Sequence, residues 1–163
     1  MNVQGADNPY QRILVALDGS ELAEEIFPVV LPLAHAFGSN VSLIRVVEPV
    51  EPPVYAGNMM NHPPQIYYGD LAEMAKQARS EASAYLGAQQ DRLEQQGLTV
   101  SSLTPDGAPA QTILDEAQKE GTDLIAMTTH GRGGLGRLVF GSVAEAVLRS
   151  APCPVLLGRV QRN

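Results

Sequence analysis

The sequence predicts an α/β fold, in which a doubly wound, parallel five-stranded sheet carries helices on both faces. Three observations lead to this class. Short apolar runs alternate with segments of helical periodicity along the chain. The run at 123–128 (DLIAMT) is apolar almost throughout, as expected for a strand that is covered on both faces. The 163 residues suffice for one domain with a full core and are short for two.

The chain opens with a strand and an interrupted helix. Residues 12–17 (RILVAL) form a short apolar run, and residues 18–20 (DGS) close it with a turn signal and a helix cap. Residues 21–37 carry apolar side chains at helical spacing. Pro28 and Pro32 lie inside this segment, so we expect them to kink the helix or shorten it.

The next strand and helix are clearer. Residues 41–47 (VSLIRVV) are rich in β-branched side chains and predict the second strand. Residues 71–96 predict the longest helix, because their apolar residues trace one face. Asp70 with Glu73 forms an N-terminal capping pattern, and Gly97 stands where a left-handed C-terminal cap belongs.

The second half continues the alternation. Residues 98–104 (LTVSSLT) alternate and are more polar than the other strands, which predicts a strand at the edge of the sheet. A helix is expected over 109–120, then the strand at 123–128, a helix over 142–149 and a last strand over 154–158. All of this belongs to one domain over 1–163, with its core at about 12–159.

Residues 48–70 do not belong to this alternation. The segment holds five prolines together with two methionines and three tyrosines, and loops of this length are uncommon inside a compact domain. It follows the carboxyl end of the second strand, where ligands bind in open α/β sheets. A lid over a ligand and a surface or partner-binding loop are both open interpretations.

Charge and composition narrow the classes of function. The net charge of −7 argues against a general nucleic-acid binder, yet residues 130–163 hold five arginines against one acidic residue. A locally positive segment on an acidic protein suits a small anion. No apolar run approaches the roughly 20 residues that span a bilayer, so no membrane partner is expected. Cys153 is the single cysteine, and with a first segment that lacks a basic and apolar leader it predicts a cytoplasmic protein.

A glycine-rich stretch at 129–142 (THGRGGLGRLVFGS) is the strongest candidate site. Five glycines precede a predicted helix, whose start carries Ser142 and Glu145 in a capping-box spacing. Backbone N–H groups of such a loop and of a helix N-terminus form an anion site. A structural crossover is the alternative. Neither the Walker lysine motif nor the dinucleotide fingerprint is present, and both lysines, Lys76 and Lys119, lie on predicted helices.

Five motifs together resemble the universal stress protein family over roughly 12–159. They are ILVALDGS (13–20), LIRVVEP (43–49), GAP (107–109), DLIAMTTHGRGG (123–134) and FGSVAEAVLRSAPCPVLL (140–157). The resemblance implies a Rossmann-like, flavodoxin-like three-layer sandwich with strand order 3-2-1-4-5, commonly dimeric. One subgroup of the family binds ATP through the pattern Gly, two residues, Gly, nine residues, Gly and Ser or Thr.

The resemblance also implies the binding residues. Gly131, Gly141 and Ser142 match the phosphate positions, with Val143 beside them. Asp18 matches the aspartate near the adenosine, Val46 the strand-end residue whose backbone meets adenine, and Met127 a residue that lines the pocket. Arg132, inside the glycine-rich stretch, is a candidate cation for the phosphates. Thr128 stands where the first glycine of the pattern belongs. Its β-branched side chain adds bulk that would obstruct a phosphate, and the alternative is that its hydroxyl binds a phosphate or the ribose.

Three functions follow from these expectations. The first is a stress-response signalling module that binds an adenine nucleotide: ATP, or AMP or cyclic AMP because of Thr128, with Mg²⁺ as a candidate to neutralise adjoining phosphates. The second is a dimeric scaffold without nucleotide, in which strand 154–158 pairs with its copy. The third is a slow ATP hydrolase. It has no obvious base or lysine, so no catalytic residue is assigned.

Overall fold

The computed structural model describes residues 9–50, 68–129 and 141–158, and for residues 68–70 the backbone alone. Within these ranges the chain alternates strands and helices. The elements are β1 (Arg12–Ala16), α1 (Glu21–Glu24), α2 (Phe27–Phe37), β2 (Asn40–Ile44), α3 (Tyr68–Glu94), β3 (Thr99–Leu103), α4 (Pro109–Lys119), β4 (Leu124–Thr128), α5 (Ser142–Ser150) and β5 (Val155–Gly158). No helix of the described part is long and apolar enough to cross a membrane.

The five strands form one sheet in the order β3-β2-β1-β4-β5, and every neighbouring pair is parallel. The chain moves outward to β3, returns past β1 to β4 and ends at β5. This confirms the predicted α/β class, the doubly wound topology and the strand order. It also confirms that β3 lies at an edge, where only Val100 is buried, whereas all five residues of β4 are buried.

Each face of the sheet carries its own apolar core. On the first face, side chains of β1, β2 and β4 pack against α1, α2 and α3, with Ile26 and Leu86 fully buried. On the second face, the alternate side chains of the same strands pack against α4 and α5, with Val147 fully buried. Because strand side chains alternate between faces, one residue step along a strand moves a side chain from one core to the other.

The helical segment after β1 is broken as its prolines predict. α1 ends at Glu24 and α2 begins at Phe27, so that Pro28 falls in the first turn of α2, where a missing N–H costs no intrahelical bond. Pro32 is tolerated inside α2. Gly38 ends the helix in a left-handed conformation, with φ of 63°.

The start of α3 differs from the prediction, whereas its end agrees. The helix begins at Tyr68, so Asp70 and Glu73 lie inside it and the predicted capping pattern does not mark its N-terminus. Gly97 adopts φ of 84° and its amide bonds the carbonyl of Glu94, which is the expected left-handed cap. Of the proline-rich segment predicted at 48–70, residues 51–67 lie outside the described residues.

Candidate functional site

The carboxyl ends of β2, β1 and β4 lie side by side at one edge of the sheet. The register pairs Ala16 with Ile44 and Val15 with Ala126. Asp18 follows the end of β1 by two residues and Val46 follows the end of β2 by two residues, so both lie just beyond the paired ends of these strands. In an open parallel sheet, ligands bind beyond the C-terminal ends of the strands, in the crevice left where the strand order reverses, which here lies at β1 and β4.

Val46 presents its backbone to this crevice. β2 was predicted to continue to residue 47, but regular pairing ends at Ile44. Beyond that point the amides of Arg45 and Val47 bond the carbonyls of Leu103 and Pro105 on the β3 side, at 3.2 and 2.8 Å. The N–H and C=O of Val46 alternate with these and face the opposite side, where β1 has already turned away. Within the described ranges they form no backbone hydrogen bond.

Asp18 belongs to the tight turn between β1 and α1. Gly19 has φ of 84°, a conformation that side-chain-bearing residues rarely adopt. Asp18 Oδ1 accepts hydrogen bonds from the Ser20 amide at 2.9 Å and the Ser20 hydroxyl at 2.6 Å. Ser20 Oγ in turn accepts from the amide of Ala23. The helix cap is therefore Ser20, within the turn and cap predicted over residues 18–20, and Asp18 orients the cap.

Met127 and Thr128 end β4 on opposite faces. Met127 is buried in the second core, against which Val46 and Val143 also pack, so three of the predicted residues share one face. Thr128 is buried on the other face and pairs in register with Gly158 of β5. A Cβ built on Gly158 would lie 3.5 Å from Thr128 Cγ2, so the threonine methyl group packs toward the place where β5 lacks a side chain.

The N-terminus of α5 lies directly beyond β4. The Gly141 amide bonds the Thr129 carbonyl at 2.9 Å, and the Glu145 amide bonds the Gly141 carbonyl. The predicted capping box is wrong: Gly141 is the N-cap and makes no side-chain cap, Ser142 is the exposed first helical residue, and Glu145 pairs with Arg149 at 2.6 Å. The first amides of α5 therefore have no partner within the helix.

The structure thus brings most of the predicted residues together at the C-terminal end of the sheet. Those brought together at the carboxyl ends of the strands are Asp18, Val46, Met127, Thr128, Gly141, Ser142 and Val143. Gly131 and Arg132 lie outside the described residues. Arg45 was not among the predicted site residues, although a charged side chain inside the apolar run VSLIRVV indicates a specific role for it. Its guanidinium lies beside Gly19 and the ring of Tyr85.

A doubly wound parallel sheet, whose strand order reverses between β1 and β4, is the architecture of the open α/β proteins. Within that class, the chain belongs to the universal stress protein family, whose model matches residues 9–159. A universal stress protein of Thermus aquaticus is 35% identical over 154 residues, covering 92% of this chain and 99% of the relative. One of Methanocaldococcus jannaschii is 32% identical over 155 residues, covering 95% and 85%.

Solved structures of the family have the same fold. The universal stress protein UspA of Lactobacillus plantarum has a TM-score of 0.74 at 23% identity and covers 91% of this chain and 97% of its own. A universal stress protein in complex with cAMP has a TM-score of 0.61 at 20% identity, covering 93% and 98%. A family member of Arabidopsis thaliana with AMP bound has a TM-score of 0.65 at 15% identity, covering 93% and 92%.

Proposed function

We propose that this protein binds an adenine nucleotide at the carboxyl ends of β2, β1 and β4, and that the nucleotide acts as a signal in a stress response. ATP is the first candidate, and AMP and cyclic AMP are the alternatives. The observation that carries the proposal is the backbone N–H and C=O of Val46, which have no backbone partner among residues 9–50, 68–129 and 141–158. A purine edge offers an acceptor beside an amino donor, which complements one backbone N–H and one C=O.

The surroundings of Val46 support an adenine ring there. Val46, Met127 and Val143 pack in the same apolar cluster, so a flat, largely apolar ring would have a hydrophobic wall. Asp18, in the turn that follows the neighbouring strand β1, would accept hydrogen bonds from ribose hydroxyls. Two related structures hold AMP and cAMP, ligands that share this adenosine part.

The phosphates would lie at the N-terminus of α5. Its first amides lack partners within the helix, and the helix dipole favours an anion at this end. Ser142, at the first helical position and exposed, could add its hydroxyl. Gly131 and Arg132 stay predictions of the sequence for the same phosphates. Among the described residues no cluster of three or more acidic, His or Cys side chains could hold a metal, so Mg²⁺ would have to be held mainly by phosphate oxygens.

The direct test is to purify the protein without added nucleotide, denature it with acid and identify the released compounds by chromatography and mass. We expect an adenine nucleotide in the released fraction, or saturable binding when ATP–Mg²⁺, AMP and cyclic AMP are titrated into the stripped protein by calorimetry. Titrations that remain flat to millimolar concentrations would refute the proposal. ATP turnover measured on the same samples should stay near background, because the sequence has no obvious general base and no Walker lysine.

Replacing Gly141 with alanine should weaken nucleotide binding by about tenfold, roughly 1.4 kcal/mol. The fold does not require glycine here, since φ is −55° and an added Cβ would meet the Thr129 carbonyl at an ordinary 3.4 Å. The methyl group would instead occupy the approach to the first amides of α5. Because alanine is a poorer N-cap than glycine, we also expect a small stability loss of about 0.5 kcal/mol.

Gly87→Ala is the matched control for that measurement. Gly87 lies inside α3 with nothing within 4 Å of an added Cβ. Its replacement should stabilise the helix by up to about 1 kcal/mol and leave nucleotide affinity unchanged. Calorimetry and thermal unfolding of both variants separate the two effects. Equal affinities for Gly141→Ala and the wild type would place the phosphates elsewhere.

The dimeric scaffold remains the second candidate, and one observation favours dimerisation. β5 is an edge strand whose Val155, Leu156 and Leu157 are half-buried in the single chain. Bonds to β4 use the carbonyls of Pro154 and Gly158, so the backbone groups of Leu157 face away from the sheet. We infer that β5 pairs with its copy across a two-fold axis.

Leu157→Pro should convert a dimer into a monomer, because proline removes an outward N–H while the bonds to β4 remain. Light scattering coupled to size exclusion measures the mass, and circular dichroism checks the fold. A wild type that runs as a monomer, or a proline variant that stays dimeric, would exclude pairing through β5.

The cytoplasmic location stays a prediction of the sequence.

A further inference from the structure

Arg45 is placed where it can control the turn that carries Asp18. It follows the last residue of β2, and its amide bonds the Leu103 carbonyl, so its backbone is held by the sheet. Its side chain lies on the first face. A Cβ built on Gly19 would come within 2.6 Å of the Arg45 Cζ and Nη1 atoms. The guanidinium therefore packs directly on the bare Cα of the residue that follows Asp18.

Tyr85 supports the other side of this guanidinium. Arg45 Cζ lies 5.3 Å from the centroid of the Tyr85 ring, within the range of cation–π attraction. The ring is itself held, because the Tyr85 hydroxyl donates to Glu24 Oε1 at 3.1 Å. Burial, together with Glu24, raises the pKa of Tyr85 well above its usual value, so the hydroxyl keeps its proton and remains a donor.

Glu24 connects this support back to the turn. It is the last residue of α1, the helix that Ser20 caps, and Ser20 is in turn oriented by Asp18. Its carboxylate also accepts from Gln89 Nε2 at 3.0 Å and lies 3.6 Å from the Arg92 guanidinium. The turn is thus held from within, through Ser20, and from outside, through the Arg45 guanidinium that packs on Gly19.

We propose that Arg45 is a positioning residue, whose guanidinium between the Tyr85 ring and Gly19 holds the β1–α1 turn so that the Asp18 carboxylate faces the ribose of a bound adenine nucleotide. This inference rests on the proposed function. Arg45 does not touch the nucleotide in this arrangement, because it lies on the first face whereas Val46 and Met127 pack on the second. Gly19 is the residue that lets the guanidinium approach.

The test uses Arg45→Met, which keeps an unbranched stem and removes the guanidinium. We expect affinity for ATP to fall about tenfold, the value of hydrogen bonds to a charged group. Affinity for 2′,3′-dideoxy-ATP, which lacks the hydroxyls that Asp18 would hold, should stay within about twofold of the wild type. In an Asp18→Ala background, Arg45→Met should change ATP affinity no further.

Arg92→Met is the matched control. Arg92 is also stacked on an aromatic ring, that of Phe27 at 5.1 Å, and also neighbours Glu24, but its guanidinium does not pack on the turn. The Arg92→Met variant should leave the ratio of the affinities for ATP and 2′,3′-dideoxy-ATP unchanged. A further readout needs no nucleotide: the Ser20 amide, which donates to Asp18, should exchange its hydrogen faster in Arg45→Met than in the wild type.

The outcomes separate the two ideas. If Arg45→Met lowers the affinity for both nucleotides equally, or for neither, Arg45 has only a structural role and the inference is wrong. Equal affinity of the wild type for ATP and its dideoxy form overturns the inference and leaves the proposed function standing. A wild type that binds no adenine nucleotide overturns both.

Discussion

Replacement of Leu86 with alanine is expected to lower the free energy of unfolding by about 3 kcal/mol. Leu86 lies in the middle of α3, is fully buried and packs in the first core between the helix and the sheet. Truncation removes the apolar contact and leaves a cavity, because the close-packed side chains around Leu86 can only partly collapse into it. Urea unfolding followed by circular dichroism measures the loss.

Met74→Ala, on the same helix, is the control. Met74 is 54% exposed, so its truncation should change the free energy of unfolding by less than about 0.5 kcal/mol. Similar losses for the two variants would mean that α3 is not anchored to the sheet through its buried face.

Gly158→Val should cost about 2 kcal/mol of stability. A Cβ at this position would lie 2.9 Å from Ile26 Cδ1 and 3.5 Å from Thr128 Cγ2. Ile26 is fully buried, so its side chain would have to shift within the packed core. Thermal unfolding at constant pH measures the change, and the change should not depend on added nucleotide.

The double variant Thr128→Gly with Gly158→Val tests the cause. Thr128 and Gly158 are register partners, so the loss in the double variant should be smaller than the sum of the losses in Thr128→Gly and Gly158→Val, while the contact with Ile26 remains. A Gly158→Val variant as stable as the wild type, or losses that simply add in the double variant, would show that these two residues do not share one space.

The sheet was largely predictable because each strand is a separate apolar run and each crossover a separate helical pattern. Strand order, the break before Pro28 and the left-handed Gly97 followed from local sequence or from the family resemblance. Helix starts were less predictable. Ser142 has the spacing of a cap, yet the bond from the Gly141 amide to Thr129 at the end of β4 places the first turn one residue earlier.

Most residues of the candidate site were predicted from the sequence, but the residues that hold them in place were not. Thr128 was expected to obstruct a phosphate, but how its side chain is accommodated depends on Gly158, thirty positions later in the chain and visible only when β4 and β5 are paired. Arg45 was missed because its role depends on two residues from other elements, Gly19 and Tyr85. Contacts between distant elements of this kind have no local sequence pattern.

The two edges of the sheet differ in chemistry. β3 exposes Ser101 and Ser102, which bond Ser42 and Gln90 within the chain, whereas β5 exposes parts of three apolar side chains. A chain that joins a copy through β5 would leave β3 at both outer ends of the combined sheet. Polar side chains already engaged within their own chain offer little to a further copy, so assembly would stop at two subunits and not continue into a filament.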